Sequence, residues 1–440
     1  MRYGILAAVS SLRFYTRRIV DDELDELSES LAALALEGPK GVGKTATAMQ
    51  RAATVHALDD PAQREIAVAD PARLLRGTPP VLIDEWQNVP ESWDLVRRAV
   101  DAGAAAGSFL LAGSAEPRPP RTHSGAARIV SVRMRPLTLV ERGVGVPSVS
   151  LADLLSGSRP ELGGHTDMTL EAYTDEILAS GFPGLRGLPG RALRAQLDGY
   201  LAHIVDRDFE EMGREVRNPA ALQRWMRAYA AASSTTATWE RVRDAATSGQ
   251  GEKPAKTTTF PYRDVLERLW LLDPVPAWLP ARNYLSRLSA PPKHQLADPA
   301  LAARLLGLDA GALLDAVPLN AVPLNIAIPR DGTLLGSLFE SLLTLNVRVY
   351  AQAAEASLKH LRTTSGDHEV DLIVERSDGR VVAIEVKLAR TVTDDDAKHL
   401  RWLAGRIGTD LLDAIILTTG EEAYRRTDGI GVVPAALLGP

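Results

Sequence analysis

Over the first third of the chain, apolar residues come in short runs bounded by turn residues, with helical patterns between them. "LAALALEG" (31–38) runs into a glycine-rich loop, and "TATAMQRAATVHAL" (45–58) follows with helical spacing. "PPVLIDE" and "GSFLLAGSAEP" are two further short apolar runs of the kind that fill a buried parallel sheet. Strand alternating with helix predicts an α/β layer over residues 1–150. The Pro/Ser/Gly-rich stretch 143–166 then reads as a linker or surface segment.

From 168 to 307 the periodicity turns helical, as in "RALRAQLDGYLAHIVDRDFEEMG" and "PAALQRWMRAYAAAS". Two amphipathic helices between Trp239 and Trp278 flank the loop "TSGQGEKPAKTTT" and precede "LWLLDPVPAWL". That order suits a small winged helix, with plain helical packing as the alternative. The tandem "AVPLNAVPLN" (316–325) carries prolines that resist helix and strand alike, so it predicts an extended connector. Residues 330–440 read α-β-β-β-α-β. They include a hairpin, "VDLIVERSDGRVVAIEVKLAR", turning at Ser-Asp-Gly.

Composition narrows the class. The 440 residues are 45% hydrophobic and 24% charged, ordinary for a globular chain of several domains. With no cysteine, disulfides, thiolate metal sites and thiol catalysis are excluded. No run approaches the ~20 apolar residues of a membrane span, and the N-terminal "GILAAVSSL" is a poor signal peptide, so a cytoplasmic chain with no membrane partner is expected. A net charge of -6 leaves no global footprint for nucleic acid, and any DNA-binding surface has to be local. The eight histidines show no metal-ligand spacing, and His368 reads as an exposed loop residue.

The chemistry starts at "GPKGVGKT": Gly38, Pro39, Lys40, Gly41, Val42, Gly43, Lys44 and Thr45 satisfy G-x-x-x-x-G-K-[ST], the P-loop pattern. Backbone N–H groups of such a loop curl around phosphate at a helix N-terminus. Lys44 would neutralise β/γ oxygens of ATP, and Thr45 would hold Mg2+ through its hydroxyl. "VLIDE" ends an apolar run in two acids. Asp84 suits the Mg2+ shell and Glu85 the orientation or deprotonation of attacking water, a solvated strand end being the bland alternative. Ser114, ending the next run, could stand between those acids and the γ-phosphate as a sensor. Five arginines and no acid lie between Pro117 and Val140. Arg128 is the choice for an arginine finger, in cis or in trans, while DNA phosphates or plain solvent would equally suit the cluster.

The P-loop, "VLIDEWQNVP", "LLAGSAEP" and "HSGAARIVSVRMRPLTLVE" together resemble a prokaryotic family of AAA-type P-loop ATPases. "ILASGFPGLR", "YLAHIVDRDFEEM" and "HQLADPALAARLLG" are similar to its middle segments, so the likeness runs along nearly the whole chain. It implies a helical or winged-helix middle and a restriction-endonuclease-like C-terminal domain of the PD-(D/E)xK kind. In such nucleases an acid on one strand and an E-x-K on the next meet at a divalent ion, which polarises phosphate and acidifies water. Asp371, Glu385 and Lys387 match that pattern, Glu340 supplies the helix acid, and Glu369 is a spare ligand. E-x-K also occurs on any solvated strand, but Val381, Val382, Ile384 and Val386 argue for burial here. The leading expectation is an ATPase that couples Mg2+-dependent hydrolysis to DNA processing. The rival is a regulatory switch whose nuclease-like domain is inactive and binds DNA or a protein partner. A homo-oligomer is compatible with both.

Overall fold

The structure, a computed structural model, describes residues 15–113, 126–247, 256–280, 290–316, 327–363 and 365–440. Helix α1 (Val20–Ser28) leads into strand β1 (Ala33–Glu37), the P-loop and helix α2 (Lys44–Met49). Then come β2 (Thr54–Ala57), α3 (Pro61–Ala69), β3 (Val81–Asp84), α4 (Glu91–Asp101), β4 (Phe109–Gly113) and β5 (Val130–Arg133). The sheet is parallel throughout and ordered β2-β3-β4-β1-β5, so the C-terminal ends of all five strands share one edge. Strands β1, β3 and β4 are buried on both faces, which is why each reads as an unbroken apolar run.

Two sequence expectations fail here. The helix after the P-loop stops at Met49, and "TVHA" is strand β2, paired with β3. Thr54 and Val55 are β-branched, and their pairing with a buried central strand outweighs the helical spacing. Residues 143–166 are no free linker. They hold β6 (Val149–Ser150) and α5 (Leu151–Ser156), whose Ser150 side chain caps the helix by accepting the Asp153 N–H. Leu151, Leu154 and Leu155 of α5 are buried, and the helix packs on the C-terminal sheet.

The helical expectation for the middle region holds. It contains α6 (Leu170–Leu178), α7 (Gly190–His203), α8 (Pro219–Ala231), α9 (Trp239–Ala245), α10 (Lys256–Arg268) and α11 (Pro299–Leu306). Isolated antiparallel bridges Leu272↔Leu296 and Val275↔Lys293 follow α10 as a narrow ladder. Most of the loop between α9 and α10 lies outside the described residues, as does all but Ala316 of the proline tandem. Strands β7 (Leu314–Ala316) and β8 (Ala327–Pro329) flank that gap.

The C-terminal region begins with α12 (Gly332–Ala353), capped by Asp331, whose carboxylate accepts the N–H groups of Thr333 and Leu334. It continues through β9 (Ser357–Arg362), β10 (Glu369–Glu375), β11 (Val381–Val386), α13 (Lys398–Ile407) and β12 (Leu411–Thr418), which is the expected α-β-β-β-α-β order. Short strands β13 (Tyr424–Arg425) and β14 (Gly431–Pro434) extend the sheet to β13-β14-β12-β11-β10-β9, and β15 (Leu438–Gly439) pairs with β6. One continuous apolar cluster joins all three regions, from Leu34 through Trp225 to Phe339 and Ile384. Among the described residues, no helix is long and apolar enough to cross a membrane.

Candidate nucleotide site and C-terminal acid cluster

The P-loop leaves β1 beneath the end of β5. A Cβ on Gly38 would lie 2.3 Å from the carbonyl oxygen of Met134, so that position tolerates no side chain. Gly43 opens α2 with φ 104°, a left-handed conformation that glycine adopts freely. Arg18, buried and ion-paired to Glu141 at 2.9 Å, donates to the carbonyls of Val42 (3.0 Å) and Arg135 (2.7 Å), holding the loop from behind. The patterns read above gave no signal for Arg18, whose partner Glu141 is 123 residues away.

Lys44 is 6% exposed and its ammonium donates to the carbonyls of Gly38 (2.8 Å) and Pro39 (3.0 Å). Burial pulls its pKa down to about 8, partly offset by Glu85 and Asp84. Thr45 donates its hydroxyl to Asp84 at 2.9 Å. Asp84 is buried, and burial pushes its carboxyl up to about 6. Glu85 begins the turn after β3 at φ 52°, an uncommon conformation for a glutamate, and accepts a hydrogen bond from Gln87. Trp86 packs against Trp93 with ring centroids 4.6 Å apart and the rings tilted by 34°, which anchors that turn. The sequence-predicted Lys44, Thr45, Asp84 and Glu85 therefore stand together at one sheet edge. A hard cation fits this donor set, since a hydroxyl and a carboxylate already meet there and a 2+ charge would restore Asp84 to its ionised form.

Lys40 departs from expectation. Its ammonium turns away from the loop interior to Asp208 (2.6 Å) and Glu211 (3.0 Å), while the hydroxyl of Tyr200 donates to its carbonyl. A 370 Å³ cavity opens between Lys40, Gly41, Phe182, Leu185 and Tyr200. Ser114 lies outside the described residues.

Arg128 is misplaced for a finger in cis. Because β5 runs parallel to β1, with Leu34 opposite Val130 and Glu37 opposite Arg133, Arg128 precedes the strand at the edge away from the P-loop, where it pairs with Asp101 at 2.7 Å. Among the described arginines of that cluster, Arg133 ends β5 at the P-loop edge and Arg135 follows just past it. The Arg133 guanidinium lies 3.7 Å over the ring of Trp270, and burial lowers its pKa to about 9. Strand register was the missing signal, since a run of arginines does not reveal which of them ends the strand.

In the C-terminal sheet, Leu372 pairs with Ile384, and Asp371 and Glu385 stand just beyond that last pair of the ladder. Asp371 accepts the Val386 N–H at 3.0 Å, and Lys387 donates to Glu385 at 2.8 Å. Glu340 comes in from α12. The expected residues do converge, but around a cation the sequence did not announce. Lys293 places its ammonium 2.9 Å from Glu340, 3.1 Å from Asp371 and 3.4 Å from Glu369. Burial pushes the carboxyls of Glu340 and Glu385 well above the usual glutamate range. Among the described residues, the one trio of histidine or carboxylate side chains with ligand atoms all within 4.8 Å is His203, Asp208 and Glu211, which Lys40 neutralises. The Glu340–Asp371–Glu385 set is more open than that and does not fit one metal ion as it stands. His368 is not a free loop residue: it stacks on Trp402 at 4.0 Å and faces His399 across 3.4 Å.

Comparison with known proteins agrees with the first of these sites. Residues 31–142 match a family described as an AAA domain. Residues 170–312 and 335–438 match two domains of unknown function, DUF8612 and DUF4143. The AAA match, with the P-loop, supports an AAA-type ATPase domain at the N-terminal end. Two uncharacterized proteins, from Mycobacterium bovis and Mycobacterium tuberculosis, are each 27% identical over 406 residues, covering 91% of this chain and 79% of theirs. A Walker-type ATPase of Pyrococcus abyssi superposes with TM-score 0.38 at 16% identity, over 66% of this chain and 96% of its own. The ORC2 protein of Aeropyrum pernix, solved in ADPNP and ADP complexes, gives TM-score 0.27 at 15% identity, over 70% and 93%. Similarities that low carry no weight for fold or function.

Proposed function

We propose that this protein binds ATP with Mg2+ and hydrolyses it, and that the cycle switches contacts between the ATPase domain and the rest of the chain. The observation that carries the reading is the meeting of Lys44, Thr45, Asp84 and Glu85 at one edge of the parallel sheet. Lys44 is already desolvated and leaves two backbone carbonyls to take phosphate oxygens. Thr45 and Asp84 would hold the Mg2+, which supplies charge neutralisation to the phosphates. Glu85, beyond the strand end, takes a proton from the attacking water. The salt links from Lys40 to Asp208 and Glu211 give the middle region a direct hold on the P-loop, which supports a switch.

The test is ATP binding and phosphate release by wild type, Lys44→Ala and Glu85→Gln. Lys44→Ala loses binding. Glu85→Gln binds ATP but hydrolyses it about 10²–10⁴-fold more slowly, the usual worth of a positioned base. Hydrolysis at the wild-type rate by Glu85→Gln removes Glu85 from the mechanism.

The second reading is an ATP-dependent DNA-processing protein with a restriction-endonuclease-like C-terminal domain. Its support is the convergence of Glu340, Asp371, Glu385 and Lys387. The three helices α8 to α10 with the ladder behind them support a winged helix that would bind DNA. Mg2+- or Mn2+-dependent cleavage of plasmid or branched DNA, lost with Lys387→Ala, would establish it. The lysine inside the acid cluster favours the switch.

A further inference from the structure

Lys293 is among the most buried charged residues of the chain, with no exposed surface. Its position is fixed from both sides of the backbone. Its N–H donates to the carbonyl of Val275 at 2.9 Å, and its own carbonyl accepts the Val275 N–H at 2.8 Å. The next residue, His294, is held in the same way, donating to Thr235 and accepting from Ser234 at 2.8 Å each. From this rigid ladder behind α10, the side chain crosses into the C-terminal sheet, donates hydrogen bonds to Glu340 and Asp371, and forms a third ion pair with Glu369. Glu340 and Asp371 are acids that a divalent ion held with Glu385 would need as oxygen ligands at about 2.0–2.6 Å. An ammonium and a divalent ion cannot share that space.

Four acids, Glu340, Glu369, Asp371 and Glu385, crowd together here, with Lys293 among them and Lys387 and Arg362 paired to two of them. Glu385 is 4% exposed, and among the described residues its Oε2 has no hydrogen-bond partner. A buried carboxylate oxygen without a donor is costly, and it stands beside Asp371, where one more ligand would serve it.

We propose that Lys293 is a built-in substitute for a divalent cation. It neutralises the acid cluster, keeps metal out of it, and ties the middle region to the C-terminal sheet through the same three ion pairs. A divalent site defined by Glu340, Asp371 and Glu385 is latent beneath it. The inference is independent of ATP hydrolysis, and it bears directly on the nuclease reading, because that reading needs metal in the wild-type site.

The test is Mn2+ binding, followed by the EPR signal of the free ion, on the full chain without nucleotide. Differences between variants cancel any ion held at the P-loop. Wild type and Asp371→Asn bind the same number of ions, because no ion uses Asp371. Lys293→Met gains one site, which Lys293→Met/Glu385→Gln loses, and Mn2+ raises the melting temperature of Lys293→Met by several degrees more than that of wild type. A wild-type site that disappears with Asp371→Asn overturns the proposal and favours the nuclease reading. That comparison does not require Lys293→Met to fold. A well-folded Lys293→Met that gains neither an ion nor stability also overturns it.

Discussion

Asp273 sits among three arginines where the three regions of the chain meet. Arg135, just past β5, reaches it at 3.0 Å, and Arg348 of α12 pairs with its other oxygen. Arg133 stands nearby over Trp270. Burial opposes ionisation of Asp273, yet Arg348, Arg135 and Arg133 outweigh it and hold the carboxyl well below its ordinary range. Asp273→Asn removes the charge and keeps the shape. Removing one partner from a buried ion pair costs about 3–5 kcal/mol. Asp273 retains 18% side-chain exposure and Arg135 16%, so solvent screens part of that, and about 2–4 kcal/mol remains. At a urea slope of about 3 kcal/mol/M, the midpoint falls by about 1 M. The assay is urea unfolding at pH 7 followed by tryptophan fluorescence, to which Trp270 contributes as one of seven tryptophans. The carboxyl is ionised in both states above its unfolded pKa of about 3.9, and its contribution is lost only as pH falls from there through the lower folded value. The penalty should therefore be equal at pH 8 and pH 5.5. Adding Arg348→Met should recover part of it by removing the charge left unpaired. A midpoint within about 0.2 M of wild type for Asp273→Asn, on the same slope of about 3 kcal/mol/M, would refute the assignment of Asp273 as the electrostatic centre of the junction.

Other outcomes follow from the same geometry. Lys44 loses its proton as pH rises through about 8 in the free protein. ATP binding at pH 8–9 should therefore take up a proton, seen by calorimetry as a buffer-dependent enthalpy that Lys44→Arg abolishes. Arg128→Ala should leave the ATPase rate unchanged in dilute protein, since its partner is Asp101 at the far sheet edge. A loss of rate that appears only as protein concentration rises would mark it as a finger in trans. Glu385 holds its proton to a higher pH folded than unfolded, chiefly through burial. Stability should fall as pH rises above about 4.3 towards the folded value, and Glu385→Gln should flatten melting temperature against pH between 5.5 and 8.5.

The nucleotide site was legible because its parts are local: a glycine loop after one buried strand, two acids after another, and a parallel sheet that brings their ends to one edge. The C-terminal hairpin was legible for the same reason, since Ser-Asp-Gly sets its register and so sets Asp371 beside Glu385. Local pattern misled at β2, where four residues form a strand only because β3 is there to pair with, and at 143–166, where turn residues hid a capped helix. Strand register decided against Arg128 as a finger in cis. Lys293 could not be read at all. Its carboxylate partners Glu340 and Asp371 are 47 and 78 residues away, and "PPKHQLAD" gives no sign that its lysine is buried.

Helix α12 connects the two sites in a way that can be tested. In its third turn it presents Glu340 to Lys293. Twelve residues on, Gln352 accepts from Arg135 at 2.9 Å and donates to the carbonyl of Arg133 at 3.0 Å, beside the P-loop edge. At 1.5 Å per residue those contacts are about 18 Å apart along one rigid element. The ladder behind α10 spans the same gap, with Asp273 donating its N–H to Gln295 and Val275 bridged to Lys293. Any displacement of β5 by nucleotide therefore has two stiff connections to the acid cluster. Spatial continuity alone does not establish coupling, whose warrant is a shared response of both ends. With a non-hydrolysable ATP analogue, amide exchange should change together in 38–45, in the ladder residues 272–275 and 293–296, and in α12, and Asp273→Asn should confine the change to the P-loop. Change confined to the P-loop in wild type would leave the acid cluster indifferent to nucleotide, because a rigid helix cannot move at one end alone.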